Sequence, residues 1–326
     1  MRAVVQDRYG DPGTLSLGSA AKPEPGPDEV LIRVHAAAVN AYDWHLMRGD
    51  PYLARLTFGV RRPRTRVRGR DFAGQVVGTG PGVTRFRPGD QVFGEADGAF
   101  AEYVSAGQDV LASIPDGLTF EQAAALPLAG NTALMALRDA GRVRAGQHVL
   151  INGASGGVGT FAVQIGKALG ARVTAVCSAR NADLARSIGA DHVVDYATED
   201  FTRGGERADV VLDLVGNHRL AALRRAVTPG GTLVLSGGGA SEGGSLFGPM
   251  ALLLRARATA RFARGQRLTV LTATPSGANL AALADLASRG RLTPVVDRTY
   301  PLAEVPDAIR YMETEHARGK VVITVR

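Results

Sequence analysis

The sequence predicts an α/β protein in two parts. A β-rich first region precedes a doubly wound parallel sheet with helices on both faces, and the tail returns to the first region. Three observations predict this. Residues 1 to about 126 carry short β-type runs separated by Gly and Pro clusters. From Leu126 onward, apolar strands alternate with helical patterns, which requires crossover connections and hence parallel strands. At the first of those alternations, Val149-Leu150-Ile151-Asn152-Gly153-Ala154-Ser155-Gly156-Gly157-Val158-Gly159 carries an apolar strand into a Gly-rich turn that opens a helix.

The elements follow in order. Residues 2–6, 30–37, 74–78, 91–94 and 101–104 read as strands. Between them lie turn clusters such as Lys22-Pro23-Glu24-Pro25-Gly26-Pro27 and Arg87-Pro88-Gly89-Asp90. The helix after the Gly-rich turn reaches Leu169, and a strand follows at 172–176. Next come a helix at 183–187, strands at 192–195 and 209–214, a helix at 219–227 and a strand at 231–236. Residues 237–244 are mostly Gly and read as a flexible loop at a strand's carboxyl end, where such sheets bind ligands. A strand at 268–273 completes the sheet. The tail reads as helix 278–288, strand 294–300, helix 303–312 and strand 320–325. The expected domains are therefore 1–126, 127–272 and 273–326, the last returning to the first.

The Gly-rich turn is the strongest chemical signal. A dinucleotide pyrophosphate needs close backbone approach, free N–H groups and a positive helix end. Ala154, Ser155, Gly156, Gly157, Val158 and Gly159 supply small residues at that place. An NAD site usually has an Asp or Glu about 20 residues further on, bonding the ribose 2′-hydroxyl. Here the second strand ends in Cys177-Ser178-Ala179-Arg180 with no acid. A hydroxyl and a guanidinium accept a 2′-phosphate that a carboxylate would repel, so the reading is NADPH. The bland alternative has Ser178 capping the next helix and Arg180 solvated.

Composition bounds the rest. A chain of 326 residues with 45% hydrophobic content can bury a large core across two domains. No apolar stretch approaches the ~20 residues of a membrane helix, and the run 250–254 is broken by Arg255 and Arg257. Arg2, Asp7 and Arg8 interrupt any apolar leader, and a cytoplasmic location is expected. The single cysteine, Cys177, permits no internal disulfide and no cysteine zinc cluster. The net charge is +7. Six of the ten residues 61–70 are Arg, as are five of the thirteen residues 255–267. With few aromatic residues among them, they read as solvated basic surface rather than a nucleic-acid site, with the option of attracting phosphate-bearing ligands.

Several motifs together resemble one family. They are Val39-Asn40-Ala41-Tyr42-Asp43, Gly69-Arg70-Asp71-Phe72-Ala73-Gly74, Val83-Thr84-Arg85-Phe86-Arg87-Pro88-Gly89-Asp90-Gln91-Val92, Leu126-Pro127-Leu128-Ala129-Gly130-Asn131-Thr132-Ala133, and the ending His316-Ala317-Arg318-Gly319-Lys320-Val321-Val322. Over essentially its full length the chain resembles the zinc-independent medium-chain dehydrogenase/reductases, near the NADPH:quinone oxidoreductase and zeta-crystallin branch. The resemblance implies a GroES-like β-barrel catalytic domain joined to a Rossmann domain. Zinc-dependent relatives have a Cys where this chain has Ala41 or Tyr42, and a His-Glu pair where it has Arg70-Asp71. No metal site is therefore expected. Without a Lewis acid, alcohol oxidation loses its usual activation, and an already polarised acceptor suits the fold better. The expected reaction is hydride transfer from NADPH to a quinone or an α,β-unsaturated carbonyl.

The resemblance also implies roles. Asn40 and Asp43 match positions lining the nicotinamide end, where Asn40 either donates to a ligand or caps the following helix. His45 is either a proton donor or an ordinary histidine. Tyr42, Trp44 and Tyr52 are walls for a flat acceptor or core packing. Asn131 and Thr132 are read as opening a helix near the nicotinamide, Thr132 as a catalytic-side residue or a cap, and Asn131 stands where the family is usually apolar. Tyr196 packs on the adenosine end, and Leu271, Thr272 and Ala273 match the strand end that holds the carboxamide. Arg70 either recognises an acidic substrate or pairs with Asp43 or Asp71. Two other readings stay open: an enoyl-thioester reductase, and a non-catalytic NADPH-binding regulatory or RNA-binding protein. A homodimer through the edge of the Rossmann sheet is a further expectation.

Overall fold

The structure is a computed structural model and describes residues 1–204, 206–236, 254, 256–258, 265–315 and 317–325. The loop expected at 237–244 and much of the basic run 255–267 lie outside these residues. The chain divides into two compact units, Met1–Asn131 with Thr274–Arg326, and Thr132–Ala273. The division falls inside the helix Pro127–Leu134.

Strands of the first part are β1 (Arg2–Gln6), β2 (Leu15–Ser19), β3 (Glu29–Val39), β4 (Asp71–Thr79), β5 (Gln91–Glu95), β6 (Tyr103–Gly107) and β7 (Leu111–Ser113). The second unit contributes β8 (His148–Asn152), β9 (Arg172–Cys177), β10 (His192–Asp195), β11 (Ala208–Asp213), β12 (Val227–Leu235) and β13 (Arg267–Val270). The tail adds β14 (Val296–Pro301) and β15 (Lys320–Thr324).

In the first unit the sheet runs β14-β15-β3-β4-β5-β7, with β6 also on β3. The pairing path is open and closes no complete barrel among the described residues. β3 organises it, because apolar residues nearly fill its eleven positions and leave few side chains in water. β15 pairs antiparallel with β3 from Val321 opposite Val39 to Thr324 opposite Ala36, which brings the tail into this unit. Val4, Ile32, Met47, Phe72, Phe100, Val305 and Ile309 form the centre of its core. β2 and β7 carry weak sequence signals: only Leu15 is buried in β2, and β7 has three residues.

In the second unit six parallel strands lie in the order β10-β9-β8-β11-β12-β13. The chain moves outward from β8 to β10, then restarts on the other side of β8 with β11. That reversal makes the carboxyl ends of β8 and β11 the switch point where ligands bind in such sheets. β8 is buried at all five residues, as a strand covered on both faces must be. β13 ends at Val270, so Leu271–Ala273 continue as irregular chain. Among the described residues, no helix is long and apolar enough to cross a membrane.

Candidate functional site

The Gly-rich turn occupies that switch point. β8 ends at Asn152, and the helix Gly157–Ala168 begins with Gly156 as its N-cap. Gly153 turns the chain at φ 89°, a left-handed conformation that favours glycine. Gly159 is required by proximity: a Cβ there would meet the Gly153 carbonyl oxygen at 2.1 Å and Ala154 Cα at 2.7 Å. The first helical turn therefore lies directly against the strand's exit. Ser155, Gly156, Gly157 and Val158 stay half-exposed at the helix N-terminus, where first-turn N–H groups favour an anion, although the Gly156 N–H donates to the Gly153 carbonyl at 3.3 Å. Ala154 is buried, and its N–H donates to the Val176 carbonyl.

Buried amides support this turn. Asn181 donates to Ser155 Oγ at 3.0 Å, and Asn152 donates to Asp213 Oδ1 at 2.8 Å and Asn217 Oδ1 at 3.0 Å. Asp213 ends β11 fully buried, and its Oδ2 has no hydrogen-bond partner among the described residues. Sequence reading missed Asp213, although a carboxylate closing an apolar strand was a usable signal. Past the end of β9, Ser178 is half-buried and precedes the short turn Ala179–Asn181, while Arg180 and Tyr196 are exposed. The end of β9 carries no acid, as expected, and a carboxylate stands on the neighbouring strand. Asp195 of β10 is the register partner of Cys177, and its Oδ1 accepts from the Ala197 N–H. An acid one strand away escapes a scan along β9. Leu271 donates its N–H to the Leu235 carbonyl, and Thr272 Oγ1 accepts from Arg257.

The first unit holds a buried polar cluster around the start of the helix Ala41–Arg48. Asn40 caps it, and the Asp43 carboxylate accepts the Asn40 N–H at 2.8 Å. The Lys320 ammonium, 2% exposed, donates to the Val39 carbonyl at 3.0 Å and to Asn40 Oδ1, and stands 3.6 Å from the fully buried Asp71 carboxylate. Asp71 also accepts the Leu128 N–H. Glu95 pairs with Arg70 at 3.1 Å, and Arg70 reaches Asp97 at 3.2 Å while lying over the Tyr42 ring. Burial pushes Asp43 up to about 7. Burial and then the Asp71 charge push Glu95 up to about 7. Burial lowers Lys320, against the pull of Asp71 and Asp43.

Several expectations for this unit change. The helix carrying Asn131 and Thr132 opens at Pro127, so neither residue is a cap; Pro is a favoured first helical residue. The Asn131 amide is engaged within the unit, donating to the Thr274 carbonyl at 2.7 Å and accepting from Asn279 at 2.9 Å, so its polar atoms serve structure. Thr132 is buried and starts the second unit. His45 bonds through Nδ1 to the Asp50 carbonyl at 2.8 Å. A carbonyl only accepts, so Nδ1 carries the proton, and Nε2 of the neutral ring has none to give. Burial lowers its basicity against the opposing pull of Asp50, which disfavours the proton-donor expectation. Trp44 packs on the core and donates to Glu313 at 2.8 Å, a structural tie. Tyr42 is half-buried with an edge contact to Phe58, and Tyr52 is exposed under Arg55. Arg70 pairs with Glu95 and Asp97 instead of Asp43 or Asp71, so its charge is already matched.

The donor set does not suit zinc. The buried carboxylates Asp71 and Glu95 are held by an ammonium and a guanidinium, which occupy the electrostatic place of a cation. Among the described residues, no three His, Cys, Asp or Glu side chains converge as ligands. The cluster gives a pH signature. Asp43 and Glu95 have native values raised above their unfolded ones, so the native state holds extra protons between about 4 and about 7. Their stabilising contribution is complete below that window and is lost as pH rises through it. Urea unfolding across this range is expected to show stability falling with pH, with Glu95→Gln shallower than the wild type. An unchanged slope in Glu95→Gln would remove Glu95 from this account.

Comparisons with known proteins agree with this fold. Residues 26–116 match the alcohol dehydrogenase GroES-like domain, and residues 188–323 match a family described as zinc-binding dehydrogenase. The chain is 36% identical to the mitochondrial NAD(P)H oxidoreductase RTN4IP1 of Mus musculus, over 92% of this chain and 82% of that one. It superposes on the quinone oxidoreductase of Coxiella burnetii with a TM-score of 0.87 at 32% identity, covering 100% of this chain and 99% of that one. A mycobacterial protein solved in complex with NADPH gives a TM-score of 0.83 at 31% identity, covering 99% and 100%.

Proposed function

The chain belongs to the medium-chain dehydrogenase/reductase family, and we propose that it is a zinc-independent, NADPH-dependent reductase of quinones or α,β-unsaturated carbonyls. The observation that carries the proposal is the turn at Gly153–Gly159, built to bring backbone N–H groups against a pyrophosphate. Bound NADPH supplies the hydride, and a polarised acceptor passes the charge to its carbonyl oxygen.

The chain's own contribution is binding, orientation and charge. Ser155 to Val158 hold the pyrophosphate through the helix N-terminus, and Ser178 and Arg180 take the 2′-phosphate. Lys320 fixes the Asn40 amide through its oxygen, and the amide nitrogen donates to the Ala38 carbonyl at 3.3 Å and to the Asp71 carboxylate, so Asn40 anchors the start of its helix. Asp43 holds the helix start that carries Asn40 and Tyr42. Burial raises the Tyr42 pKa, which keeps its phenol neutral as an acceptor wall. Thr132 and Leu271–Ala273 complete the nicotinamide end by resemblance. The place of β13 at the sheet edge, with its outer side unpaired among the described residues, supports a homodimer through it. The cytoplasm is the proposed location.

Two experiments test this reading. Arg180→Ala is expected to raise KM for NADPH by about tenfold, the scale of one charge-assisted contact, and to leave KM for NADH unchanged. Equal changes for both cofactors would reject the 2′-phosphate role. A simple enone compared with crotonyl-CoA separates a small-molecule reductase from an enoyl-thioester reductase, with the enone expected to turn over faster. Tight NADPH binding without turnover of any acceptor would point to a regulatory protein.

A further inference from the structure

We propose that residues 59–66 form a binding pocket for a phosphate-bearing anion, separate from the dinucleotide turn. The pocket has a volume of about 490 Å³ and is lined by Gln6, Asp7, Val60, Arg61, Arg62, Pro63, Arg64 and Arg66. That size suits a small organic ligand. Four guanidiniums face one carboxylate. Asp7 is taken by Arg66 through a two-pronged pair at 2.6 and 3.1 Å. Among the described residues, Arg61, Arg62 and Arg64 form no ion pair. Asp7 also feels the charge of Arg62, and the pocket lining still carries an excess of positive charge that a polyanion offsets.

The pocket wall is built rather than loosely draped. Gly59 turns at φ 117°, and a Cβ there would meet the Arg62 carbonyl oxygen at 2.0 Å. The Arg64 N–H donates to the Phe58 carbonyl at 2.8 Å, and the Tyr9 hydroxyl donates to the Gly59 carbonyl at 2.7 Å. The Gln6 N–H donates to the Arg66 carbonyl at 2.9 Å, and the Gln6 side chain is pinned to the Met47 carbonyl at 2.7 Å. Arg61, Arg62 and Arg64 on this fixed turn supply forked, charged donors of the kind that phosphate oxygens accept. Val60, 63% exposed, gives the same pocket an apolar wall for the organic part of an ester. The ligand class is therefore a phosphomonoester or diphosphate, either free or as a lipid headgroup.

The test uses the full chain with NADPH present in excess, and repeats it without NADPH. Inorganic pyrophosphate is titrated calorimetrically at low salt. Vesicles of phosphatidylcholine with and without phosphatidic acid are tested by co-sedimentation. Arg61→Ala/Arg62→Ala/Arg64→Ala is compared with Arg87→Ala/Arg144→Ala/Arg207→Ala, which removes equal charge from exposed arginines elsewhere. The pocket variant is expected to weaken binding by about tenfold or more, and the control by less than about twofold. Loss of pyrophosphate binding identifies a free ligand, and loss of retention on phosphatidic acid vesicles identifies a headgroup. Equal losses in the two variants, or no binding of either probe by the wild type, would overturn the proposal.

Discussion

Gly159→Val is expected to abolish saturable NADPH binding. The position has no room for a side chain, because the helix start rests on the strand exit. A Cβ would stand 2.1 Å from the Gly153 carbonyl oxygen and 2.7 Å from Ala154 Cα, both backbone atoms that cannot rotate away. The turn must shift outward, and the N–H groups of Ser155 to Val158 move with it. Overpacking of this kind costs about 1–3 kcal/mol in a packed core, which a unit of six paired strands can absorb. The measurement is a fluorescence titration of NADPH beside a thermal melt. Loss of binding with a cooperative melt retained is the expected pair of results. Wild-type affinity in Gly159→Val would show that the turn does not contact the cofactor.

Lys320→Met is expected to be the most destabilising single substitution in the first unit. It leaves the Asp71 carboxylate fully buried without its cation, a change that costs about 3–5 kcal/mol. It also frees the Asn40 amide oxygen and the Val39 carbonyl. The sign with pH follows from Asp71. Burial already raises its pKa and Lys320 opposes that rise, so removing the lysine raises it further. A raised native value gives stability that is fully present at acid pH and lost as pH rises. The penalty in Lys320→Met is therefore larger at pH 8 than at pH 5. Asp71→Asn added to Lys320→Met removes the unpaired charge and should recover much of the loss. Chemical unfolding of the two variants at both pH values decides this. A loss below about 1 kcal/mol at each pH would mean that the pair contributes little, as exposed pairs do.

The sequence exposed the features whose cause is local. The Gly-rich turn was legible because strand, glycines and helix are consecutive, and Gly153 and Gly159 are demanded by their immediate neighbours. The parallel strands were legible as apolar runs, since both faces of that sheet are covered. Pairing across distance was not legible. Lys320 lies 280 positions from Asn40, and only the antiparallel register of β15 on β3 joins them. The signal that existed was a charge opening an otherwise apolar strand. Asp195 was hidden for the same reason, since it meets Cys177 only through strand register. Asn131 and Thr132 were misplaced because the helix takes Pro127 as its start, a signal weaker to the eye than an Asn-Thr pair. β2 escaped because one buried leucine is too little alternation to recognise.

The most direct test of the account is NADPH consumption with 9,10-phenanthrenequinone, followed by the cofactor's absorbance in the presence of EDTA. Turnover that EDTA does not diminish, and that is faster with NADPH than with NADH, is expected. Turnover that EDTA abolishes and zinc restores would contradict it.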